Sequence, residues 1–496
     1  MPTPNILLIV TDQHRYDAIG VHGNPTIRTP HLDELARTGT DFTSNYTVCT
    51  LCTPARASLL TGAYPHDHGL LTNSDMINAV RAELFDWARG FGEPLAHAGW
   101  NCGYVGKWHV GQERLPRDFG FEGMNIPGYG HLPNVAEYRE YLRERGLEAP
   151  QVVSRVGATG NAGTLSGPVE ATEPYFLAEY TNEMLGRYSA ARRRDGSPFL
   201  LWLNFWGPHA PYVCPEPYAS MYDPASIEPW PSFEEDESEK PMCYRRMVPM
   251  EPNAPPVIPW SDWSQMIAKY WGRTTLIDEQ IGRILARLDE LGEADNTIVI
   301  FTSDHGDTLG VHNGKTDKGP FAYEDTYHTS LIVRDPTSPD APSTRSDVTS
   351  IIDIASTVLD YASIDPLPDM RGRSLRPLLR SSGEVEWRDA VVTEWHGHQF
   401  LYSQRMLRHA NWKYVFNPTD LDELYDLDAD PNELTNLAAR SEHAATLERL
   451  QRLLMTHLVE EDDPLRFAAS FLLPGGREYD QRALMKAPFL LPPEER

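Results

Sequence analysis

The chain is short of cysteine, of positive charge and of long apolar runs, and each shortage excludes something. Five cysteines (Cys49, Cys52, Cys102, Cys214, Cys243) among 496 residues are too few, and odd in number, for a disulfide framework. A reducing, cytoplasmic setting is therefore expected. Lys and Arg number 44 against 71 Asp and Glu, a formal net charge of −27. That balance disfavours nucleic acid as a partner and leaves any anionic ligand to a local basic pocket. No apolar run reaches the length of a membrane span. Residues 5–11 (NILLIVT) have no charged region before them and no cleavage site after them, so they read as a buried strand rather than a leader, and no membrane partner is expected. There is no internal repeat and no low-complexity tract.

What is present is an apolar content of 41% and a length beyond one ordinary domain, which predicts one large domain and a smaller one. Residues 5–11, 101–105, 199–205 and 297–301 are continuous apolar runs, each ending in polar residues: Asp12-Gln13, Lys107-Trp108-His109, Pro208-His209 and Ser303-Asp304-His305. A shorter run at 331–333 completes the set, and residues 40–47 alternate like a strand. Helices are expected from Thr29-Pro30 to Gly39, over 54–61, 93–98, 174–193 and 351–361. The longest, 262–291, carries Ile277, Ile281, Ile284, Leu285 and Leu288 on one face and stops at Gly292. Strands that read as apolar runs and alternate with helices predict an α/β fold with a large, doubly wound, mostly parallel sheet. The site then lies outside the carboxyl ends of the strands, where these polar groups gather. Residues 113–172 read as loops and short elements over the site, and the Pro-rich 214–262 as a lid or subunit contact. Beyond residue 385 the pattern changes to short strands near 390–394, 406–407, 413–417 and 423–427, then a helix over 442–458. This divides the chain into a catalytic domain (1–385), a C-terminal antiparallel sheet with one helix (386–461) and an extended tail (462–496). The tail is expected to support a homodimer or homotetramer.

The stretch 46–69 carries the reactive chemistry. Cys52 sits at the start of a helix with Arg56 one turn later, where backbone N–H groups, the macrodipole and a fixed cation all favour negative charge. A Cys49-x-x-Cys52 redox pair or half of a zinc site is the competing reading. The absence of a second cysteine pair argues against it, and Pro54-x-Arg56 suits anion binding better.

Cys52-Thr53-Pro54-Ala55-Arg56 with Thr61-Gly62 resembles the signature of the formylglycine-dependent sulfatases of the alkaline phosphatase superfamily. The likeness continues through Asp12-Gln13, Gly106-Lys107-Trp108-His109, Pro208-His209, Ser303-Asp304-His305-Gly306, Lys318, Tyr323-Glu324, and 423–433 (ELYDLDADPNE), and spans about residues 4–440. It implies a sulfuric ester hydrolase acting on a small sulfated sugar, aryl or alkyl ester. It also implies oxidation of Cys52 to formylglycine by a formylglycine-generating enzyme. A divalent metal would be held by Asp12, Gln13, residue 52, Asp304 and His305, with calcium expected and manganese the alternative. Lys107 and His109 would contact the formylglycine, with His109 the base in the second step. His209 and Lys318 would hold the leaving oxygen and the sulfate, His209 as general acid, and Arg56 would steady the nucleophile. The family usually has Asp-Asn where this chain has Asp304-His305. The change, with Gln13, is similar to the phosphonate monoester hydrolases and choline-sulfatase-like enzymes, so a phosphonate monoester or phosphodiester hydrolase is the nearest alternative. An unmodified protein that binds anions without turnover is the other. His396, His398 and Arg405, with Glu394, are the expected substrate contacts from the C-terminal part. His66 and His68 either shape the pocket or are structural.

Overall fold

The computed structural model describes residues 3–76, 79–128, 132–247, 257–487 and 490–492. Its main sheet has eight strands: β1 (Asn5–Asp12), β2 (Thr40–Phe42), β3 (Asn101–Lys107), β4 (Glu122–Ile126), β5 (Phe199–Pro208), β6 (Thr297–Ser303), β7 (Leu331–Arg334) and β8 (Thr344–Arg345). Their order is β8-β2-β7-β6-β1-β5-β3-β4. The run β6-β1-β5-β3-β4 is parallel throughout, and β7 is antiparallel to both its neighbours.

β1 lies at the centre, and its alternation explains the two-layered core. Ile6, Leu8 and Val10 point to one face, against Ala55, Leu59 and Leu60 of α2 (Cys52–Thr61) and Ile354 and Val358 of a helix at Asp353–Tyr361. Leu7 and Ile9 point to the other. There they meet Leu32 and Leu35 of α1 (Pro30–Thr38), Leu177 and Leu185 of Glu173–Asp195, and Ile277, Ile281 and Ile284 of Trp260–Leu291. A strand covered on both faces has no need of a polar face, which is why residues 5–11 read as one apolar run.

The C-terminal part is a four-stranded antiparallel meander, β9 (Ala390–Trp395), β10 (Gln404–His409), β11 (Trp412–Phe416) and β12 (Glu423–Asp426), packed on the helix Ala444–Glu460. The proposed boundary near residue 385 falls just before it.

Three expectations change. The loop region 113–172 contains the sheet's edge strand β4, the helix Ala136–Arg145 and a hairpin at Val152–Val156 and Ala162–Leu165. β4 was hidden because an edge strand, half exposed, shows no continuous apolar run. Residues 40–47 split into β2 and a second short strand, Asn45–Tyr46, that pairs elsewhere. The tail is not extended over its described part: Ala469, Leu473 and Leu484 pack against Leu450, Leu454 and Leu458 of the C-terminal helix. Of the segment 214–262, residues 248–256 lie outside the described residues; the remainder before 248 is short 3-10 turns and the helix Met242–Arg246.

One buried carboxylate ties two helices on the same face of the sheet. Asp278, on the long helix, accepts from the backbone N–H of His31 (3.1 Å) and Leu32 (2.8 Å), the free donors that open the helix Pro30–Thr38. Burial pushes its pKa up to about 7. The folded state thus holds this proton more tightly than the unfolded chain, so the contribution of Asp278 to stability falls as pH rises from about 4 through about 7. Asp278→Asn keeps an acceptor and cannot ionise; in thermal unfolding it should gain on the wild type between about pH 4 and about pH 8. Asp278→Ala strands both donors and should cost about 1–2 kcal/mol.

Candidate active site

Helix α2 builds the centre. Ala55, Arg56, Ala57, Leu59 and Leu60 are good helix formers, and Gly62 ends the helix with φ 66° and its N–H on Ser58 O. Cys52 is the first helical residue, two positions earlier than the sequence suggested. Pro54 is tolerated because N–H groups in a first turn have no partner within the helix. The free N–H of Thr53 is taken by Asn73 Oδ1 at 3.0 Å.

Four strand ends converge on Cys52. His209 N donates to Asp12 O (3.0 Å) and Asp304 N to Thr11 O (3.2 Å), so the carboxyl ends of β5 and β6 are stitched to that of β1. Lys107 arrives from the end of β3. Asp12, Cys52, Asp304 and His305 then offer ligand atoms that all lie within 4.8 Å of one another. Cys52 Sγ is 3.3 Å from His305 Nε2 and 3.9 Å from Asp12 Oδ1.

Cations surround this group. Arg56 bonds Asp12 Oδ2 (2.7 Å) and pairs with Asp304 Oδ2 (2.9 Å), and its remaining nitrogen reaches Asn204 Oδ1 (3.1 Å) and Lys107 O (3.2 Å). Lys107 Nζ is 2.7 Å from Asp12 Oδ2 and 4.4 Å from the centroid of the Trp206 ring. Lys318 Nζ bonds Gln13 Oε1 (2.7 Å) and lies 3.0 Å from His209 Nε2. Burial opposes ionisation of the Cys52 thiol, but Lys107, Lys318 and His305 outweigh it and hold its pKa well below the ordinary value. Burial and Cys52 push Asp12 up; Lys107, Arg56 and His209 outweigh them and keep it well below the carboxylate range. Asp304 goes the other way, pushed up by burial and by Asp12.

The two histidines are oriented in the same way. His305 Nδ1 meets Gly306 O at 2.9 Å and His209 Nδ1 meets Ala210 O at 2.7 Å. A carbonyl can only accept, so Nδ1 carries hydrogen in both and Nε2 faces the centre. That is how proteins aim an imidazole at a metal. Two carboxylates, an imidazole nitrogen and the residue 52 side chain suit a divalent cation, which would also offset the burial and the Asp12 charge that push Asp304 up. Gln13, the fifth expected ligand, turns its amide oxygen to Lys318 and its nitrogen to Asp307 (2.8 Å) and Asp317 (2.9 Å), although its backbone N–H bonds Asp304 Oδ1 (3.1 Å). Gln13 (φ 59°) and His109 (φ 52°) both hold left-handed backbone conformations, a strain found where position matters.

Of the C-terminal candidates, the structure brings in one. His398, bonded to Thr72 Oγ1 at 3.2 Å, is close enough to feel Asp317, Lys318, Cys52 and Asp75. His396 instead meets Glu394 at 2.8 Å. Arg405 is sealed away, its guanidinium on both oxygens of Asp463 (2.6 and 3.0 Å) and on the carbonyls of Gln404 (2.8 Å) and Trp395 (3.4 Å). Arg405 is buried on β10, and His396, just past the end of β9, is held by Glu394. His66 joins the same network through a short contact with Glu394; burial opposes its protonation, but Glu394 and Asp67 push its pKa up to about 10. His68 is a structural bond between Ser58 (3.0 Å) and the N–H of Leu70 (3.2 Å), with burial pushing its pKa down to about 3. Glu324 pairs with Lys413 (3.3 Å) and accepts from Tyr46 (2.8 Å), which joins the two parts of the chain. Four residues were missed: Asn204, Asn73, Asp317 and Asp75, the last 3.5 Å from His109. Only Asn204 had a signal, as a lone amide inside an apolar strand.

Arg405→Ala leaves Asp463 buried without its partner. It should lose about 3–5 kcal/mol in denaturant unfolding, with kcat/KM of the protein that remains folded unchanged to within about twofold. A rise in KM with unchanged stability would restore Arg405 as a substrate contact.

The family model described as sulfatase matches residues 4–364, and one described as N-sulphoglucosamine sulphohydrolase, C-terminal, matches residues 312–460. An arylsulfatase of Clostridium perfringens is 30% identical, over 92% of this chain and 94% of its own length. An N-acetylglucosamine-6-O-sulfatase of Bacteroides thetaiotaomicron is 28% identical, over 91% of this chain and 85% of its own. Among solved structures, a phosphonate monoester hydrolase of Agrobacterium radiobacter superposes with a TM-score of 0.79 at 26% identity, covering 92% of this chain and 96% of that one.

Proposed function

The chain belongs to the sulfatase family of the alkaline phosphatase superfamily and is a sulfuric ester hydrolase, and on that premise we propose that it cleaves a small sulfate monoester through an oxidised residue 52 and one divalent cation. The observation that carries the proposal is the meeting of Cys52, Asp12, Asp304 and His305 within 4.8 Å, with Arg56 and Lys107 against Asp12. Oxidised by a formylglycine-generating enzyme and hydrated, residue 52 supplies two hydroxyls on one carbon, one to attack sulfur and one to expel sulfate. A divalent cation, calcium or manganese, would supply Lewis acidity there when bound. Asp12, Asp304 and His305 would hold it, with Gln13 joining by turning its amide oxygen.

The remaining steps belong to the chain's own groups. Lys107, Lys318 and Arg56 balance the charge that spreads over the sulfate oxygens. His209 delivers a proton from Nε2 to the departing alcohol oxygen, its Nδ1 anchored on Ala210 O. Burial and Lys318 push the His209 pKa down, so the imidazolium is a stronger acid but a scarcer one, and Lys318 Nζ, 3.0 Å from Nε2, is placed to supply the proton. His109 takes the proton from the second hydroxyl as the sulfate leaves. His398 would meet the substrate at the rim. We further propose a cytoplasmic location, consistent with five unpaired cysteines; among the described residues no helix is long and apolar enough to cross a membrane. Self-association through the tail into a dimer or tetramer is proposed on the same footing.

Peptide mass spectrometry across residue 52 should find the aldehyde in active protein; active protein holding only the thiol there would sink the mechanism. His209→Ala should lower kcat by about 10²–10⁴-fold on an alkyl sulfate and far less on a nitrophenyl sulfate, whose oxygen needs no proton to leave. Metal analysis should find one divalent cation per chain, lost in Asp304→Ala. Asp304-His305 and the phosphonate monoester hydrolase likeness favour a second reading, cleavage of phosphonate monoesters. Paired rates on an aryl sulfate and the matching aryl phosphonate rank the two.

A further inference from the structure

The histidines around residue 52 are aimed in two ways. His209 and His305 each rest Nδ1 on a neighbouring backbone carbonyl. His109 faces a carboxylate instead, its Nε2 lying 3.5 Å from Asp75 Oδ1. Contacts of this kind are often long before substrate arrives and tighten in the complex. Burial pushes the Asp75 pKa up, and the bond to His109 outweighs it. The same ring also acts on Cys52 through a hydrogen bond, so one imidazole joins residue 52 to Asp75.

The loop that carries Asp75 is braced on both sides. Towards α2, Asn73 Oδ1 accepts from Thr53 N (3.0 Å) and Ser74 N donates to Thr53 Oγ1 (3.4 Å). Residues 73 and 74 are thereby tied to the residue beside Cys52. Towards His109, Ser74 O accepts from Gln112 Nε2 (2.6 Å), and Glu83 accepts from the N–H groups of Gln112 and Glu113. Asp75 is thus fixed between the helix of the nucleophile and the segment that bears the base. The ring is confined in turn. His109 is buried, and a Cβ on Gly128 would come within 2.3 Å of its Cδ2 and 2.8 Å of its Nε2, so only a glycine lets the backbone pack along that edge. An acceptor at Nε2 keeps hydrogen there and leaves Nδ1 as the basic nitrogen.

We propose, on the reading of His109 as base given above, that Asp75 is a positioning residue for the second step: its carboxylate holds hydrogen on His109 Nε2 and balances the imidazolium formed when Nδ1 takes a proton. In that step residue 52 carries sulfate on one oxygen and hydrogen on the other. Nδ1 takes the hydroxyl proton, and the O–H electron pair becomes the second bond of the carbonyl. The bond from carbon to the sulfate oxygen breaks, and its pair leaves on sulfate. The positive charge on His109 meets the negative charge of Asp75, and the proton then passes to water, which reaches Asp75 because 33% of its side chain is exposed. The logic is that of the carboxylate that orients and steadies the histidine in a hydrolytic triad.

The test uses formylglycine-bearing protein, an aryl sulfate and rapid quenching. Asp75→Asn removes the charge and keeps the size. It should release its first equivalent of alcohol as fast as the wild type and then turn over about 10–100-fold more slowly, a smaller loss than the ~10²–10⁴-fold of removing a base outright. Mass spectrometry of the quenched protein should find sulfated residue 52 accumulating. His109→Ala should trap the same ester, and the double variant should be no slower than His109→Ala alone, since Asp75 acts only through the ring. Slow release of the first alcohol with no trapped ester is the mark of a loop residue that is merely structural, and overturns the proposal. So does turnover of Asp75→Asn within about twofold of the wild type, or a double variant slower than His109→Ala. Failure of the reading beneath it is distinct: His109→Ala that traps no ester overturns the assignment of the base, and the role of Asp75 with it.

Discussion

The guanidinium of Arg56 is the contact on which the rest of the centre depends. It is buried, and it holds Asp12 from the end of β1 and Asp304 from the end of β6 at 2.7 and 2.9 Å. Asn204 of β5 and the last carbonyl of β3 take its other side. Four parallel strands are thereby registered at their carboxyl ends by one side chain. A buried charge of this kind is costly without partners and stiff with them. Because Arg56 and Cys52 lie one turn apart on α2, the helix that presents the nucleophile is the helix that fixes the carboxylates. Neither can shift without the other.

Around that fixed point the protein orders its proton donors and acceptors before any substrate arrives. His209 and His305 each spend Nδ1 on a neighbouring carbonyl, so each presents Nε2 to the centre in a single orientation. Gln13 and His109 are held in left-handed backbone conformations that the packing must enforce. The enforcement is visible for Gln13: its carbonyl accepts from the buried Tyr270 hydroxyl (2.9 Å), and its N–H is committed to Asp304. Such preorganisation spares the reaction the work of reorienting dipoles as charge moves.

How much of this the residues announced depends on the kind of signal. β1, β5 and β6 are buried on both faces, so composition alone marks them, and their polar terminators Asp12, His209 and Asp304 stand out against apolar runs. The motif around Cys52 was legible because its members are adjacent. Asp75, Asn73 and Asp317 were not, since each acts through a partner far away in sequence and each sits in a loop where polar residues are ordinary. β4 lacked a signal for the reason edge strands do. Arg405 and His396 misled for an instructive reason: they were expected as substrate contacts, yet Arg405 of β10 is paired with Asp463, and His396, just past β9, bonds Glu394, which also holds His66. A charged residue's burial is decided by its partner, and Asp463 is nearly sixty positions away from Arg405.

The chemistry of the centre also bears on the choice between sulfur and phosphorus. A sulfate monoester and a phosphonate monoester carry the same single charge, so the cations alone do not separate them. The difference is the substituent: sulfate offers three equivalent oxygens, and phosphonate replaces one with carbon. The cations that act on Cys52 are Lys107 and Lys318. An alkyl substituent turned towards them would leave a buried donor without an acceptor, at the cost of an unmet polar group. The acidic remainder of the molecule, at −27 overall, then works in the same direction. It leaves the binding of an oxyanion ester to a local group of cations rather than to the protein's overall charge.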